Sequence, residues 1–287
     1  AYLNASLQET IYMRQPRGYP LHEDPKMVLR LKKSLYGLKQ AGREWYLLLR
    51  KTLQDLGWKS NSKDQCLFTR KGDDGIEHLL VYVDDLLIAA SCESRVNVIK
   101  AELKEAFLIK DLGPISYFLG IKVRRSVDLS SFYLSQPNMI GDLIERFKLG
   151  NRSRVTTAPI LKSIELGANE EEASDSTKLY YSSLVGSLLY IARCSRPDIA
   201  YAVSVCSRFQ KNPGTSHVAL AERIACYLHS SHDYELKIAG SGTMNLTAYS
   251  DADWAGDKVD FASTSGMIVQ LGGSSILWSS KKQSCIS

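Results

Sequence analysis

Asp84 and Asp85 stand side by side between two short apolar runs, in Leu79-Leu80-Val81-Tyr82-Val83-Asp84-Asp85-Leu86-Leu87-Ile88-Ala89-Ala90. Carboxylates held against an apolar sheet are costly to desolvate unless they are paired, hydrogen-bonded or bound to a metal. Each flanking run is about four or five residues long and lacks helical spacing, which predicts a pair of strands. Successive strand residues point to opposite faces, so neighbouring carboxylates share a site only at a turn. The expectation is a tight β-hairpin with the aspartates at its tip. A solvent-exposed Asp-Asp turn fits the same stretch equally well.

The elements around this stretch must position it. Asp73 and Asp74 are also adjacent, but Gly72 and Gly75 flank them, and they read as an ordinary exposed turn. Upstream, Trp45, Leu48, Leu49, Thr52, Leu53 and Leu56 have the three-four spacing of a buried helix face, with Gly57 as its stop. At the entry to that helix lie Tyr36, Gly37, Lys39 and Gln40. A glycine there admits close approach of a ligand, with a lysine at hand for phosphate.

Charge points the same way. The chain of 287 residues carries 36 basic and 31 acidic side chains, a net +5. Between Lys26 and Lys51, eight basic residues face the single acid Glu44, so this segment's excess exceeds that of the whole chain. A solvated helix face accounts for many lysine runs; next to a candidate carboxylate site, a polyanion partner is the sharper reading. Hydrophobic residues make up 44% and charged residues 23%, an ordinary globular balance long enough for two or three packed units. With no run of eighteen apolar residues and no charged-then-apolar leader, membrane spanning and secretion are not expected. The six cysteines, Cys66, Cys92, Cys194, Cys206, Cys226 and Cys285, form no C-x-x-C pair, which argues against a zinc site or a disulfide framework.

Along the chain, Ile11 to Pro25 reads as strand then loop, and Cys66 to Thr69 as strand. Val96, Ile99, Leu103, Ala106 and Phe107 line a helix face, Gly113-Pro114 breaks the chain, and Tyr117 to Val123 is strand-like. From Ser135 the character turns helical. Pro137 suits a first turn, with Ile140, Leu143, Ile144 and Phe147 on one face. Thr156 to Asp175, with Glu165, Glu170, Glu171 and Glu172, reads as an exposed acidic linker. Helices are expected over Lys178–Cys194, Pro197–Gln210 and Thr215–His229, with His217 and His229 in surface or interface roles. The end is β again: Leu236 to Ile238, then Leu246 to Asp251, then a hairpin split by Gly272-Gly273. Asp251 and Asp253 share a face if their strand persists.

The order of these pieces resembles the polymerase region of copia-type retrotransposon polyproteins, along essentially the whole chain. The resemblance rests on Ala1-Tyr2-Leu3-Asn4, Ile11 to Tyr19, Lys33-Ser34-Leu35-Tyr36-Gly37-Leu38-Lys39-Gln40-Ala41 and Tyr82-Val83-Asp84-Asp85. It continues through Lys110-Asp111-Leu112-Gly113, Tyr117-Phe118-Leu119-Gly120, Leu184-Val185-Gly186 with Arg196 to Ala200, and Tyr249 to Gly256.

The resemblance implies an α+β fold: a right-hand polymerase palm with a helical thumb, followed by the start of an RNase H-like mixed sheet. Palm with a remnant of fingers would occupy residues 1–123, thumb and helical connection 124–240, and a truncated RNase H-like domain 241–287. The implied activity is RNA-directed DNA polymerisation, with RNase H. Two magnesium ions, roughly 3.5–4 Å apart in such sites, activate the primer 3′-hydroxyl and steady the leaving pyrophosphate; manganese is the alternative ion. Asp84 would be the principal hairpin ligand, Asp85 its supporting neighbour, and Asp251 the first RNase H carboxylate. Tyr2 would floor the sugar pocket, and Tyr36, Gly37, Lys39 and Gln40 would pack under the incoming nucleotide and template. Tyr82 and Val83 would lie beside the primer end, and Phe118, Leu119 and Gly120 would grip the primer. Implied partners are an RNA template, a DNA primer, dNTPs, an RNA–DNA hybrid and the rest of the Pol polyprotein. The implied location is the cytoplasm, in a virus-like particle, or the nucleus.

The family's motif around Tyr2 begins with an aspartate four residues before the position of Ala1, and its further RNase H acids lie past Ser287. The ends therefore read as those of a fragment or an incomplete gene model, expected to lack both activities. An RNase H sheet cut after three strands is expected to aggregate or disorder beyond about Gly240. The alternatives are a catalytically dead nucleic-acid-binding remnant, in which the basic segment matters and Asp84 does not, and a protein-interaction module built on the thumb-like helices.

Overall fold

The computed structural model describes residues 1–19, 21–150, 156–161, 166–239, 243–257 and 260–284. Glu165, Gly240, Cys285 and Ser287 lie outside the described residues. The chain is mixed α and β and divides into two compact units, Ala1–Pro114 and Ile115–Ser287. The division falls at the Gly113-Pro114 break, and the expected palm–thumb boundary at 123/124 lies inside a strand.

The first unit opens with a 3-10 turn and a two-stranded antiparallel ribbon, β1 (Tyr12–Arg14) and β2 (Val28–Arg30). Helix α1 (Ala41–Asp55) follows, then an antiparallel meander of β3 (Lys59–Ser60), β4 (Leu67–Gly72), β5 (Gly75–Tyr82) and β6 (Asp85–Ala89), and helix α2 (Glu93–Ala106). Trp45, Leu49 and Leu53 of α1 bury the expected stripe against Phe68, Leu79 and Val81 of the sheet and Ile99 and Leu103 of α2. Each fully buried leucine contributes roughly 1.5–3 kcal/mol by leaving water. Ala106 is exposed rather than on the buried face.

Helix α1 stops where its sequence says it should. Gly57 takes φ +85°, Trp58 N–H donates to the Leu53 carbonyl at 2.9 Å, and Gly57 N–H donates to that of Gln54 at 2.9 Å. This pairing closes the helix end and folds Trp58 back into the core.

In the second unit β7 (Tyr117–Phe118), β8 (Ile121–Arg125), β9 (Ser131–Ser135) and β10 (Leu236–Ala239) form one antiparallel sheet in the order β10-β9-β8-β7. Strand β9, which sequence periodicity did not reveal, bonds to neighbours on both sides. Helices α3 (Pro137–Arg146), α4 (Asp175–Cys194), α5 (Ala200–Ser207) and α6 (Thr215–Ser230) bury one core that includes Ile140, Leu143, Leu184, Leu188, Val203 and Ile224. The expected helix over Pro197–Gln210 is a 3-10 turn at Pro197–Ile199 followed by the shorter α5. No helix among the described residues is long and apolar enough to cross a membrane.

His217 departs from expectation. It is 1% exposed, stacks on Phe209 with ring centroids 4.0 Å apart, and closes the start of α6. Gly214 N–H donates to its Nδ1 at 2.8 Å, and its Nε2 meets the Gly167 carbonyl at 3.0 Å. The described part of the acidic stretch is thus sewn to α6, although Glu170, Glu171 and Glu172 are solvent-exposed as expected.

Beyond residue 242 the chain forms a three-stranded antiparallel sheet, β11 (Leu246–Ala252), β12 (Thr264–Leu271) and β13 (Ser274–Lys282). Gly272 and Gly273, at φ +56° and +80°, make the two-residue hairpin turn. Trp278 donates its indole N–H to the Ala192 carbonyl at 2.7 Å, and Ala239 N–H donates to Ser274 Oγ at 2.7 Å. This sheet is therefore tied to α4 and β10, while β11 is exposed along its whole length. Its pairing ends at Ala252, so Asp253 does not share a strand face with Asp251; its Oδ1 instead accepts the N–H of Thr264 at 2.8 Å.

Candidate functional site

The hairpin expected at Tyr82–Asp85 is present. Tyr82 and Asp85 are the last register partners of β5 and β6, leaving Val83 and Asp84 as the turn. Val83 takes φ +53°, a conformation that is costly for a β-branched residue and that the surroundings must hold. Trp45 supplies the hold: its indole N–H donates to the Val83 carbonyl at 2.7 Å. Periodicity placed Trp45 in the core stripe and gave no sign of this second role.

Asp84 projects into a small cluster assembled from three segments. Its Oδ2 accepts the Tyr36 hydroxyl at 2.8 Å, and its Oδ1 lies 2.9 Å from the amino group of Ala1. Tyr2 packs on Tyr36 with ring centroids 4.6 Å apart, and a Cβ on Gly42 would come within 3.7 Å of the Tyr2 hydroxyl. The same Tyr36–Asp84 hydrogen bond raises the tyrosine hydroxyl above its ordinary value. The side chain of Asp84 is still 51% exposed, so one face of the carboxylate meets solvent.

The other candidates distribute unevenly. Asp85 and Tyr82 are exposed at the strand ends beside the turn. Gly37, at φ +97°, and Lys39 lie on the turn after Tyr36, and Gln40 stands at the N-cap of α1. Among the described residues none of these five side chains or glycines hydrogen-bonds to the Asp84 carboxylate. In the second unit, Leu119 and Gly120 form the turn between β7 and β8 at φ +51° and +77°. The Tyr190 hydroxyl of α4 donates to the Leu119 carbonyl at 2.6 Å, and a Cβ on Gly120 would meet the Met139 methyl at 3.0 Å. Asp251 is exposed on β11 and its Oδ1 accepts the N–H of Ala252.

Below the hairpin lies a network the sequence did not announce. Glu77, buried in β5, accepts Arg70 Nε at 2.8 Å on one oxygen and Arg95 Nε at 2.8 Å on the other. Arg70 also lies against the Trp58 ring and donates to the Leu56 carbonyl. Burial pushes the Glu77 carboxyl up, but the hydrogen bonds from Arg70 and Arg95 outweigh it and hold the group below its usual range.

Residues 1–162, more than half of the chain, match the family described as reverse transcriptase (RNA-dependent DNA polymerase). The chain belongs to the reverse transcriptase family. This reverse transcriptase chain is 38% identical over 292 residues to the retrovirus-related Pol polyprotein from transposon TNT 1-94 of Nicotiana tabacum, covering 100% of the chain and 22% of that polyprotein. It is 40% identical over 284 residues to the retrovirus-related Pol polyprotein from transposon RE1 of Arabidopsis thaliana, covering 99% and 19%. To the Transposon Ty1-JR2 Gag-Pol polyprotein of Saccharomyces cerevisiae it is 26% identical over 302 residues, covering 99% and 17%. The reverse transcriptase chain thus spans about a fifth of the length of these curated relatives, and it is of the copia type.

Proposed function

We propose that this chain is the polymerase region of a copia-type Pol polyprotein, extending a DNA primer on an RNA template from dNTPs. In this reading residues 1–123 are palm, 124–240 thumb and connection, and 241–287 RNase H-like. The observation that carries it is the convergence on Asp84: a half-exposed carboxylate at a hairpin tip, bonded to Tyr36 at 2.8 Å, with the Tyr2 ring packed on Tyr36.

The residues present fit a divalent cation. The Asp84 side chain is 51% exposed, so its carboxylate offers hard oxygen donors open to solvent. By the resemblance Asp84 and Asp85 would be the holders from this chain; among the described residues no three His, Cys, Asp or Glu side chains gather. Magnesium keeps part of its shell on water and substrate phosphates, so few protein carboxylates are needed. When bound, it would activate the primer hydroxyl and steady the leaving pyrophosphate. The chain's own contribution is positional: Trp45 fixes the turn, Tyr36 orients the carboxylate, and Tyr2 with Tyr36 walls the place where a sugar would sit. Gly37, Lys39 and Gln40 would meet the nucleotide and template, Tyr82 and Val83 the primer end, and Phe118, Leu119 and Gly120 the primer strand. Asp251 would serve RNase H.

The test is Mn2+ titration of the 287-residue chain, native and Asp84→Asn, combined with dNTP incorporation on a primed RNA template. The expected result is at least about tenfold weaker Mn2+ uptake in the variant, as for loss of a ligating carboxylate or its support, with any incorporation abolished. Equal Mn2+ uptake by the two proteins would overturn the reading.

A further inference from the structure

The turn that leaves α6 brings two histidines together. His229 stands in the last turn of the helix and His232 two residues past its end, on the way to β10. Their ring centroids lie 6.3 Å apart, with the ring planes at 32°. His232 Nδ1 is 3.0 Å from the His229 carbonyl. A carbonyl only accepts, so Nδ1 carries the proton and Nε2 of the neutral ring keeps its lone pair. Among the described residues no hydrogen bond engages the ring nitrogens of His229. His232 is exposed and His229 half-buried, and the exposed Asp233 adds a negative charge to the turn.

We propose that His229 and His232 form a binding site for a divalent transition ion of the copper and zinc class, with water completing its shell. Imidazole nitrogen suits copper, nickel and zinc, whereas magnesium and manganese prefer carboxylate and water oxygens, so the site is chemically separate from Asp84. The His232 hydrogen bond is of the kind that prepares a ligating histidine: one ring N–H donates to a backbone carbonyl, which fixes the tautomer and leaves the other nitrogen for the metal. Two imidazoles on one tetrahedral ion, each nitrogen about 2.0–2.1 Å from it, stand with ring centroids roughly 5 Å apart. Rotation about the side-chain bonds supplies the remaining closure of roughly 1 Å without moving the backbone. Among the described residues no third His, Cys, Asp or Glu joins the pair, and Cys226, one turn back on α6, is buried. The ion therefore keeps open positions.

The backbone under the pair is already fixed. Arg196, 3% exposed, donates through Nη1 to the Ser231 carbonyl at 2.9 Å and through Nη2 to Ser231 Oγ at 2.6 Å, between the two histidines. Ser231 Oγ in turn donates to the Tyr227 carbonyl at 2.7 Å, and Tyr234 N–H donates to the Ser231 carbonyl at 3.1 Å. Asp198 holds the same guanidinium, accepting its Nε at 2.9 Å. Buried bonds thus set the turn that carries His232, and less ordering on binding leaves more of the contact energy as affinity. A shared ion would join the last turn of α6 to the segment entering β10, the strand that pairs with β9.

The experiment is Cu2+ titration of the 287-residue chain, followed by calorimetry and by electron paramagnetic resonance, without nucleic acid or dNTP. The native chain is expected to take up the ion with imidazole nitrogen in its shell, and Zn2+ but not Mg2+ should compete for it. His232→Gln is expected to weaken uptake at least about tenfold, and His229→Gln/His232→Gln to abolish it. His22→Gln/His78→Gln, which removes two exposed imidazoles from the other compact unit, should leave the affinity within about twofold. His232 is exposed, and unchanged thermal unfolding confirms that its variant folds. The proposal is overturned if the His229/His232 variants bind Cu2+ as the native chain does, or if the control pair loses as much. It is overturned too if the resonance spectrum shows no bound imidazole nitrogen, or if Mg2+ competes as well as Zn2+. Asp84→Asn should not alter Cu2+ uptake, and His229→Gln/His232→Gln should not alter Mn2+ uptake, so this site and the polymerase reading can fail separately.

Discussion

The indole N–H of Trp45 reaches the Val83 carbonyl at 2.7 Å and so ties α1 to the turn that carries Asp84. Trp45→Phe retains an edge contact to Phe107 but removes the donor. The expected outcome is a loss of about 1–2 kcal/mol in denaturant unfolding, together with weaker Asp84-dependent Mn2+ uptake. Unchanged uptake would show that the turn holds its shape without the indole.

Tyr36→Phe isolates the hydroxyl. The ring can remain on Tyr2, while Asp84 loses a hydrogen bond that favours its ionised form. Its carboxyl should titrate at higher pH than in the native chain, which NMR of labelled aspartate reads directly. Thermal stability should change little, because the pair is exposed.

Glu77→Gln removes the buried carboxylate that Arg70 and Arg95 share, leaving Arg70 with Glu102 at 2.8 Å and Arg95 without a close partner. Unfolding free energy is expected to fall by about 3 kcal/mol. The native Glu77 carboxyl is held below its usual range, so its contribution is complete above the unfolded-state value and is lost as pH falls through the folded-state value. Acid unfolding curves of the native chain should therefore carry a component in that range that Glu77→Gln lacks.

His217 behaves in the same direction for a different reason. Burial lowers its ring value, and Gly214 N–H points at Nδ1, so the neutral ring with its proton on Nε2 is the fitting form. The unfolded chain takes up the proton first as pH falls. Stability should decline from neutral pH downward through the folded-state value, and His217→Gln should flatten that slope in thermal unfolding measured at pH about 7 and about 5.

What could be read from the residues was what repeats locally. The stripe Trp45–Leu49–Leu53, the stop at Gly57, the hairpin at Tyr82–Asp85 and the amphipathic α3 all follow from spacing and turn chemistry within a few residues. What could not be read depends on distant partners. Glu77 sits mid-strand as an isolated acid until Arg70 and Arg95 close on it, and His217 looks like a surface residue until Gly167 comes round to meet it. Strand β9, Ser-Phe-Tyr-Leu-Ser, carries no apolar–polar alternation, since its three central residues are all apolar or aromatic and all partly buried. The meeting of Tyr36 with Asp84, 48 positions apart, was legible only through the resemblance, which named both segments without giving their contact.

Strand β9 pairs with β8 just before it in sequence and with β10 about a hundred residues later. The loop between those partners has to be closed before the pairing is rewarded, and such closures slow folding. During synthesis the first unit has all its strands once residue 114 has emerged, whereas the β7–β10 sheet must wait for Leu236–Ala239. In the interval β9 carries an open edge on a nascent chain, the moment at which a chaperone or a second copy could most readily capture it.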